Sequence, residues 1–447
     1  MSPPQALPTA SSLTDAGIAH AATNSNTASN TTMKNGSSTN GNGASPLAGL
    51  DASKVITTLT SNPRPVPEPN APEVFAQKTC TDHMITASWD AERGWHTPEL
   101  KPYGPFTLMP TASCLHYATE CFEGMKLYRG WDGRLRLFRP DRNTARFLTS
   151  AQRIALPAFE PSEVEKLVAK LCAVDGPKWL PKGREGQFLY VRPTMIADDE
   201  ALGVNVPKKA LLFVILCFFP NLDVSIPGAV EIKKPGLKLL ASREDSIRAW
   251  PGGFGSAKLG ANYGPSLIAQ GEARSMGYDQ VLWLLGKEAD VTEAGASNFF
   301  VVWRTKEGKL QLITAPLDEK IILDGVTRRS VLELARTRLP NGWSGSDVPQ
   351  DEQLEPIEVI ERKFTMADIL EAVDDGRLLE AFAAGTAFFI APVSLIHFRG
   401  RDIDIPLAAG DSGKYAKTIK TWLKNIMYGK ENHEWGVVIQ EENIAPQ

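Results

Sequence analysis

Charge of one sign, long apolar runs, paired histidines and ordered cysteine spacings are all scarce in this chain of 447 residues. A net charge of only −4 leaves no basic footprint for nucleic acid or for an anionic membrane surface, and no partner of either kind is expected. The longest apolar stretch, ALLFVILCFF from Ala210 to Phe219, is too short to span a bilayer and reads as a buried strand. The six histidines are dispersed without an HExxH pairing, so no histidine-based metal site is expected. The five cysteines (Cys80, Cys114, Cys121, Cys172, Cys217) are odd in number and lack metal spacing, which suits reduced thiols in an intracellular protein.

The N-terminal region lacks charge. Residues 1–63 carry four charged side chains, Asp15, Lys34, Asp51 and Lys54, and 35 of the first 50 residues are Ser, Thr, Asn, Ala or Gly. Such a segment buries too little apolar surface to offset its ordering entropy, so residues 1–70 are expected to be a disordered extension. It is Ser-rich and acid-poor like a mitochondrial transit peptide, yet it has no arginine before Arg64 and little amphipathic pattern. A cytoplasmic protein is expected, with mitochondrial import as the alternative. No apolar h-region follows the start, which argues against secretion.

Beyond the extension the pattern turns globular, with 43% hydrophobic and 22% charged residues, enough for two domains. HMITASWDAERGW offers a short strand, and KLYRGWDGRLRLFRP a hairpin turning at Trp131-Asp132-Gly133. A helix follows through NTARFLTSAQRIAL, and Ser162 with Glu165 suggests a capping box ahead of the next. QFLYVRPTMIA and ALLFVILCFF complete a small α+β domain over 71–231, and residues 232–237 read as a linker. The larger domain, 238–447, opens with a Gly-rich segment and a helix through PSLIAQGEARSMG. Strands DQVLWLL and SNFFVVWR follow, then, after LQLITAPL, helices in GVTRRSVLELARTRL, TMADILEAVDDG and YAKTIKTWLKNIMYG.

The Gly-rich segment GSAKLGANYGPSL sets Lys258 among Gly252, Gly253, Gly255, Ser256, Ala257 and Gly260. A solvated loop lysine is the plainer reading. A lysine that bonds a flat cofactor needs such room, and a neutral amine reached by desolvation or a neighbouring cation. Glu293, in the turn VTEAGASNFF, is either a water-facing turn residue or a buried carboxylate that keeps a pyridine nitrogen protonated. Tyr263, five residues past the lysine, can reach a phenolic oxygen or simply start a helix. Gly325, Val326 and Thr327 open a helix whose free amides and dipole suit an anion, and Arg146 is a possible charged partner.

Together these pieces resemble the branched-chain amino acid aminotransferases, fold type IV pyridoxal-phosphate enzymes. The resemblance runs from about residue 80 to 430 and rests on LHYATECFEGMKLYRG, LFRPDRNTARFLTSAQRIALP, QFLYVRP, ALLFVILC, RAWPGGFGSAKLGANYGPS, TEAGASNFFVVW and GVTRRS. It implies a two-domain α+β fold with the active site at the domain interface, pyridoxal 5'-phosphate as cofactor and no metal. Lys258 matches the Schiff-base lysine, Glu293 the partner of the pyridine nitrogen and Tyr263 the residue bonded to the phenolic oxygen. Arg146, Val326 and Thr327 match the phosphate contacts, and Arg248 lies near the cofactor in the family. Thr386 and Ala387, in the Gly385-Thr386-Ala387 loop, match the amides that hold the substrate α-carboxylate. Tyr190 and Arg192 match pocket residues, the arginine suited to the second carboxylate of glutamate. Tyr117 and Phe122 match an aromatic wall, and the counterpart of Tyr117 comes from the other subunit, which implies a homodimer.

The implied reaction moves the α-amino group of leucine, isoleucine or valine to 2-oxoglutarate. Ala296 and Ala384 stand where eukaryotic members usually have hydroxyl residues near the phosphate, which suggests a weaker or rearranged grip there. Phe388 and Ala391 replace a CxxC pair that some members carry. D-amino-acid transaminases and aminodeoxychorismate lyases share the lysine and glutamate, and Tyr190, Arg192 and FEGMK favour the branched-chain type. A paralogue with shifted substrate, or a binding homologue without turnover, stays open at this level.

Overall fold

The computed structural model describes residues 47–69, 71–219, 235–344, 349–350 and 353–442. Residues 47–442 fall within one compact unit built on two large sheets. Most of the expected extension, residues 1–46, lies outside the described residues, as do 232–234 of the expected linker. Residues 47–69 depart from the expected disorder. Leu50 and Ala52 are buried in the first core, the Ala52 amide donates to Glu163 at 2.8 Å, and the Thr60 amide donates to His83 Nε2 at 2.9 Å. Composition averaged over seventy residues hides two such anchors.

The first sheet is antiparallel over most of its width. Its centre runs Glu99–Pro102, Cys80–Asp90, Lys209–Phe218, Phe188–Ala197, Met125–Arg129 and Leu135–Phe138. Lys209–Phe218 alternates buried and half-buried positions along most of its length, so one of its faces packs less deeply than its apolar sequence suggests. The hairpin turns where expected, with Gly133 at φ 73°, a left-handed conformation that glycine adopts at little cost. Helices Pro140–Arg153 and Pro161–Trp179 cover the sheet and bury Phe147, Leu167, Leu171 and Trp179. The second helix has no side-chain cap. Pro161 occupies its first turn, which places Ser162 inside the helix and excludes the expected capping box. That device appears instead at Thr365 and Asp368, at the start of Met366–Asp374.

The second sheet joins Leu237–Ala241, Gln280–Leu285, Asp290–Ala294, Ser297–Arg304, Leu310–Thr314, Leu378–Gly385 and Phe389–Phe398. Helices Val326–Arg338 and Lys414–Met427 pack beside it through Val331, Ile419 and Leu423. The chain then returns: Gly436–Ile439 pairs with Leu135–Phe138 and extends the first sheet. The C-terminal boundary of the second half is therefore not a simple cut in sequence.

Candidate active site

Where the two halves meet, one cavity of about 460 Å³ takes its walls from both. Phe122, Arg146, Tyr190 and Arg192 come from the first half, and Lys258, Tyr263, Glu293, Val326, Thr327, Thr386 and Ala387 from the second. Of the expected site residues, only Tyr117 and Arg248 do not line it. Tyr117 is 39% exposed on the helix Ser113–Tyr117, and its hydroxyl donates to the Leu202 carbonyl. Arg248 lies behind Glu293 in an adjoining cavity of about 180 Å³ that shares Tyr263, Glu293 and Ala296.

Lys258 is fixed by its backbone before its side chain does anything. Its amide donates to Ser150 Oγ at 2.9 Å, and its carbonyl accepts from the Phe122 amide at 3.1 Å. The flanking glycines do less to leave open space than the sequence suggests. A Cβ at Gly255 would collide with the Ile321 carbonyl, and one at Gly260 with the Glu120 carboxylate. Gly260 thus lets the lysine loop press onto the first half, and Gly255 lets it pack closely on Ile321 within the second. The amine Nζ then sits 3.0 Å from the Tyr263 hydroxyl and 4.7 Å from the Phe122 ring centre.

Glu293 differs from the expectation in its backbone. It belongs to the strand Asp290–Ala294, opposite Trp283 and Asn298, and the turn itself falls at Gly295 and Ala296. The strand setting gives it fixed partners. Its Oε1 accepts from the Leu323 amide at 3.1 Å and Asn298 Nδ2 at 3.2 Å, while Oε2 pairs with Arg248. At 4% exposure, burial pushes the carboxyl above its usual value, against the pull of the Arg248 guanidinium. A second cation beside it would be welcomed.

The anion end is equally built. Arg146 grips Glu123 with Nε at 2.7 Å and Nη2 at 2.8 Å, and its Nη1 donates to the Asp324 carbonyl at 2.9 Å. Of the five N–H donors of a guanidinium these bonds use three. The helix Val326–Arg338 begins at Gly325 with no side-chain cap, so its first amides keep free donors beside the cavity. A Cβ at Gly325 would strike the Asn298 amide oxygen, so Asn298 ties this turn to Glu293.

On the opposite wall, Arg192 Nη2 donates to the Tyr190 hydroxyl at 3.3 Å and its guanidinium lies 4.7 Å from the Phe122 ring centre. Its Nε is buried without a partner, a donor left for a ligand. The Gly385-Thr386-Ala387 loop is held by Lys126, whose Nζ donates to the Ala387 carbonyl at 2.8 Å, and by Thr386 Oγ1, 3.4 Å from the Gly124 carbonyl. Sequence reading quoted Glu123 and Lys126 only within FEGMK and Asn298 only within TEAGASNFFVVW, and gave none of them a role, since Arg146, the Ala387 carbonyl and the Leu323 carbonyl that they meet lie well along the chain. Ala296, Ala384, Phe388 and Ala391 all line the cavity. The described residues hold no group of three or more metal-ligating side chains.

The family model of amino-transferase class IV matches residues 120–396. The cytosolic branched-chain-amino-acid aminotransferase of Saccharomyces cerevisiae is 44% identical over 89% of this chain and 100% of its own length. The mitochondrial enzyme of the same yeast is 43% identical over 89% of this chain and 95% of its own. Among solved structures, the branched-chain amino acid aminotransferase from Thermobaculum terrenum, in its PLP form, has the same fold. It gives a TM-score of 0.56 at 23% identity, over 79% of this chain and 98% of that one.

Proposed function

Because the chain belongs to the class IV aminotransferases, we propose that it carries the α-amino group of leucine, isoleucine and valine to 2-oxoglutarate with pyridoxal 5'-phosphate as cofactor. The carrying observation is that one cavity joins a lysine amine, a buried carboxylate and an uncapped helix N-terminus. That set fits the three ends of the cofactor: an aldehyde, a ring nitrogen and a phosphate. When bound, the cofactor supplies an electron sink for negative charge at the substrate α-carbon.

This chain's residues do the rest. Lys258 Nζ would hold the cofactor covalently and, when released, would serve as the general base at the substrate α-carbon. Tyr263, 3.0 Å away, keeps that amine in place. Glu293, fixed by Leu323 and Asn298, is the carboxylate that would hold the ring nitrogen and favour its protonated form. Arg146 and the amides of Val326 and Thr327 take the phosphate. The Thr386 and Ala387 amides take the substrate α-carboxylate. Phe122 and Tyr190 line the space for a branched alkyl group, and Arg192 at its edge meets the distal carboxylate of glutamate.

A homodimer is part of the same reading, supported by Tyr117 at 39% and Leu115 at 59% exposure on a helix that does not reach its own cavity. Cytosolic placement, with the mitochondrion as alternative, accords with relatives of both descriptions. No helix among the described residues is long and apolar enough to cross a membrane.

An absorption experiment tests the reading. Leucine should bleach the visible band of the cofactor-loaded protein, 2-oxoglutarate should restore it, and Lys258→Ala should not cycle. A visible band that leucine leaves unchanged would refute the substrate assignment.

A further inference from the structure

Cys80 and Cys217 stand directly opposite each other on the neighbouring strands Cys80–Asp90 and Lys209–Phe218. The Phe218 amide donates to the Thr79 carbonyl at 2.7 Å. That bond joins the residue after Cys217 to the residue before Cys80, so the two cysteines form a non-hydrogen-bonded antiparallel pair. Such pairs hold their Cα atoms about 4.5 Å apart with side chains close, within the usual disulfide span of about 4.4–6.8 Å. The described residues hold all five cysteines as free thiols.

The pair also has a chemical gradient. Cys217 beside it lowers the pKa of Cys80 against the opposing effect of burial, with Tyr103 and the Arg64 charge adding to the pull, while the Cys217 thiol itself donates to the Gln77 carbonyl at 3.5 Å. Cys121 and Cys172, fully buried, are pushed far up instead. Cys80 keeps 6% of its surface exposed and Cys217 7%, and Tyr103 is 39% exposed with Arg64 lying 5.0 Å over its ring.

The same register continues into the active site. Cys217 is opposite Tyr190, which is opposite Lys126, so Cys80, Cys217, Tyr190 and Lys126 form one row on one sheet face. Phe219, two residues past Cys217, stacks on Tyr190 at 4.8 Å and 27°. Tyr190 meets Arg192, and Lys126 holds the Ala387 carbonyl.

We propose that Cys80 and Cys217 form a reversible dithiol–disulfide site, oxidised by a peroxide, that adjusts the Tyr190–Arg192 wall of the cavity. The Cys80 thiolate attacks one peroxide oxygen; the O–O bond breaks, a sulfenic acid forms, and hydroxide leaves to take up the proton Cys80 released, giving water. Cys217 sulfur then attacks the Cys80 sulfur. The S–S bond forms, the S–O bond breaks, and hydroxide departs with the Cys217 proton as a second water. Two thiols are oxidised by two electrons and one peroxide is reduced. A dithiol reductant reverses the bond by exchange.

The kinetic half rests on the transaminase reading; the thiol half does not. The cofactor-loaded full-length enzyme is treated with hydrogen peroxide at a few equivalents, then mapped by non-reducing peptide mass spectrometry alongside a thiol count and steady-state kinetics. The site predicts loss of two of the five thiols and a linked Cys80–Cys217 peptide. It also predicts a KM for 2-oxoglutarate altered about threefold or more, reversed by dithiothreitol. Cys80→Ser and Cys217→Ser should each abolish both responses while matching the reduced parent in activity. Linkage through other cysteines, or no loss of thiols, overturns the site. A Cys80–Cys217 bond with unchanged KM, in an enzyme that turns over leucine, overturns its coupling to the pocket. Absence of any turnover in the reduced enzyme, with the bond still forming on oxidation, refutes the transaminase reading and leaves the thiol result standing.

Discussion

The two walls of the cavity hold their polar groups in opposite ways. On the Glu293 side both oxygens of that carboxylate have a partner, Leu323 and Asn298 on one and Arg248 on the other, although Arg248 Nε is itself buried without one. On the Arg192 side the guanidinium is placed by ring faces and one 3.3 Å bond to Tyr190, and its Nε is buried without a partner. The first wall is suited to one unchanging ligand, because its charges are fixed before the ligand arrives. The second must admit an alkyl group in one half-reaction and a carboxylate in the other. A cation resting on aromatic faces can serve both, since the rings offer apolar surface and the free donor meets a charge only when one is present.

Breaking the first wall should cost most. Glu293→Gln keeps an oxygen for Asn298 and Leu323 but removes the charge, so kcat should fall about 100- to 1,000-fold, in the range seen when a fixed electrostatic partner is lost. Rapid mixing with leucine would read this directly, and a variant within threefold of the parent would sink the assignment of Glu293 to the ring nitrogen. The second wall should fail selectively. Arg192→Ala should raise KM for 2-oxoglutarate about tenfold or more, the worth of a hydrogen bond to a charged group, with a much smaller change for leucine. Equal losses for both substrates would mean that Arg192 props the wall without reading a carboxylate.

The contrast also explains what was legible in the sequence. Lys258, Tyr263 and Glu293 stand out locally because small residues crowd around them, although two of those glycines serve backbone packing. Glu293 reads as a turn residue because the turn begins at the next position but one, and the pairing that makes it a strand lies across the hairpin. The second wall has no local signal at all. Tyr190 and Arg192 gain meaning from cross-strand register and from Phe122, some seventy residues earlier, so only the family resemblance pointed to them. Glu123 and Lys126 lie inside the FEGMK motif that the resemblance used, but their roles in positioning Arg146 and the Ala387 loop come from the fold alone. The misplaced capping box is a different failure: a Ser-x-x-Glu pattern describes composition, and Pro161 decides where the helix starts.

A third carboxylate isolates the role of the counter-cation. Glu380 is 2% exposed, like Glu293, but it meets the Ala416 amide at 3.3 Å where Glu293 meets a guanidinium. Burial pushes it up from 4.5 to about 8. The folded state therefore keeps a proton that the unfolded chain loses above pH 4.5, and stability falls as pH rises from there through about 8. Glu380→Gln removes this penalty. Its stability advantage over the parent should grow by about 1–3 kcal/mol between pH 6 and pH 9, read by denaturant unfolding at both values. A pH-independent difference would mean that the carboxyl finds a charge partner in solution.

The smallest expected effect bears on the phosphate end of the first wall. Ala384 is 1% exposed, lies opposite Asn298 on the neighbouring strand, and lines the cavity near Val326 and Thr327. Arg146 and the uncapped helix already offer donors there, so the missing hydroxyl removes one bond among several. Ala384→Ser should tighten pyridoxal phosphate binding by the worth of one added hydrogen bond, about 0.5–1.5 kcal/mol or roughly two- to tenfold, in a spectroscopic titration of the apoenzyme. A gain would show that the wall has a vacancy the alanine left. An unchanged or weaker affinity would show the opposite: guanidinium and amides saturate the phosphate oxygens, and the buried hydroxyl then only adds a polar group without a partner.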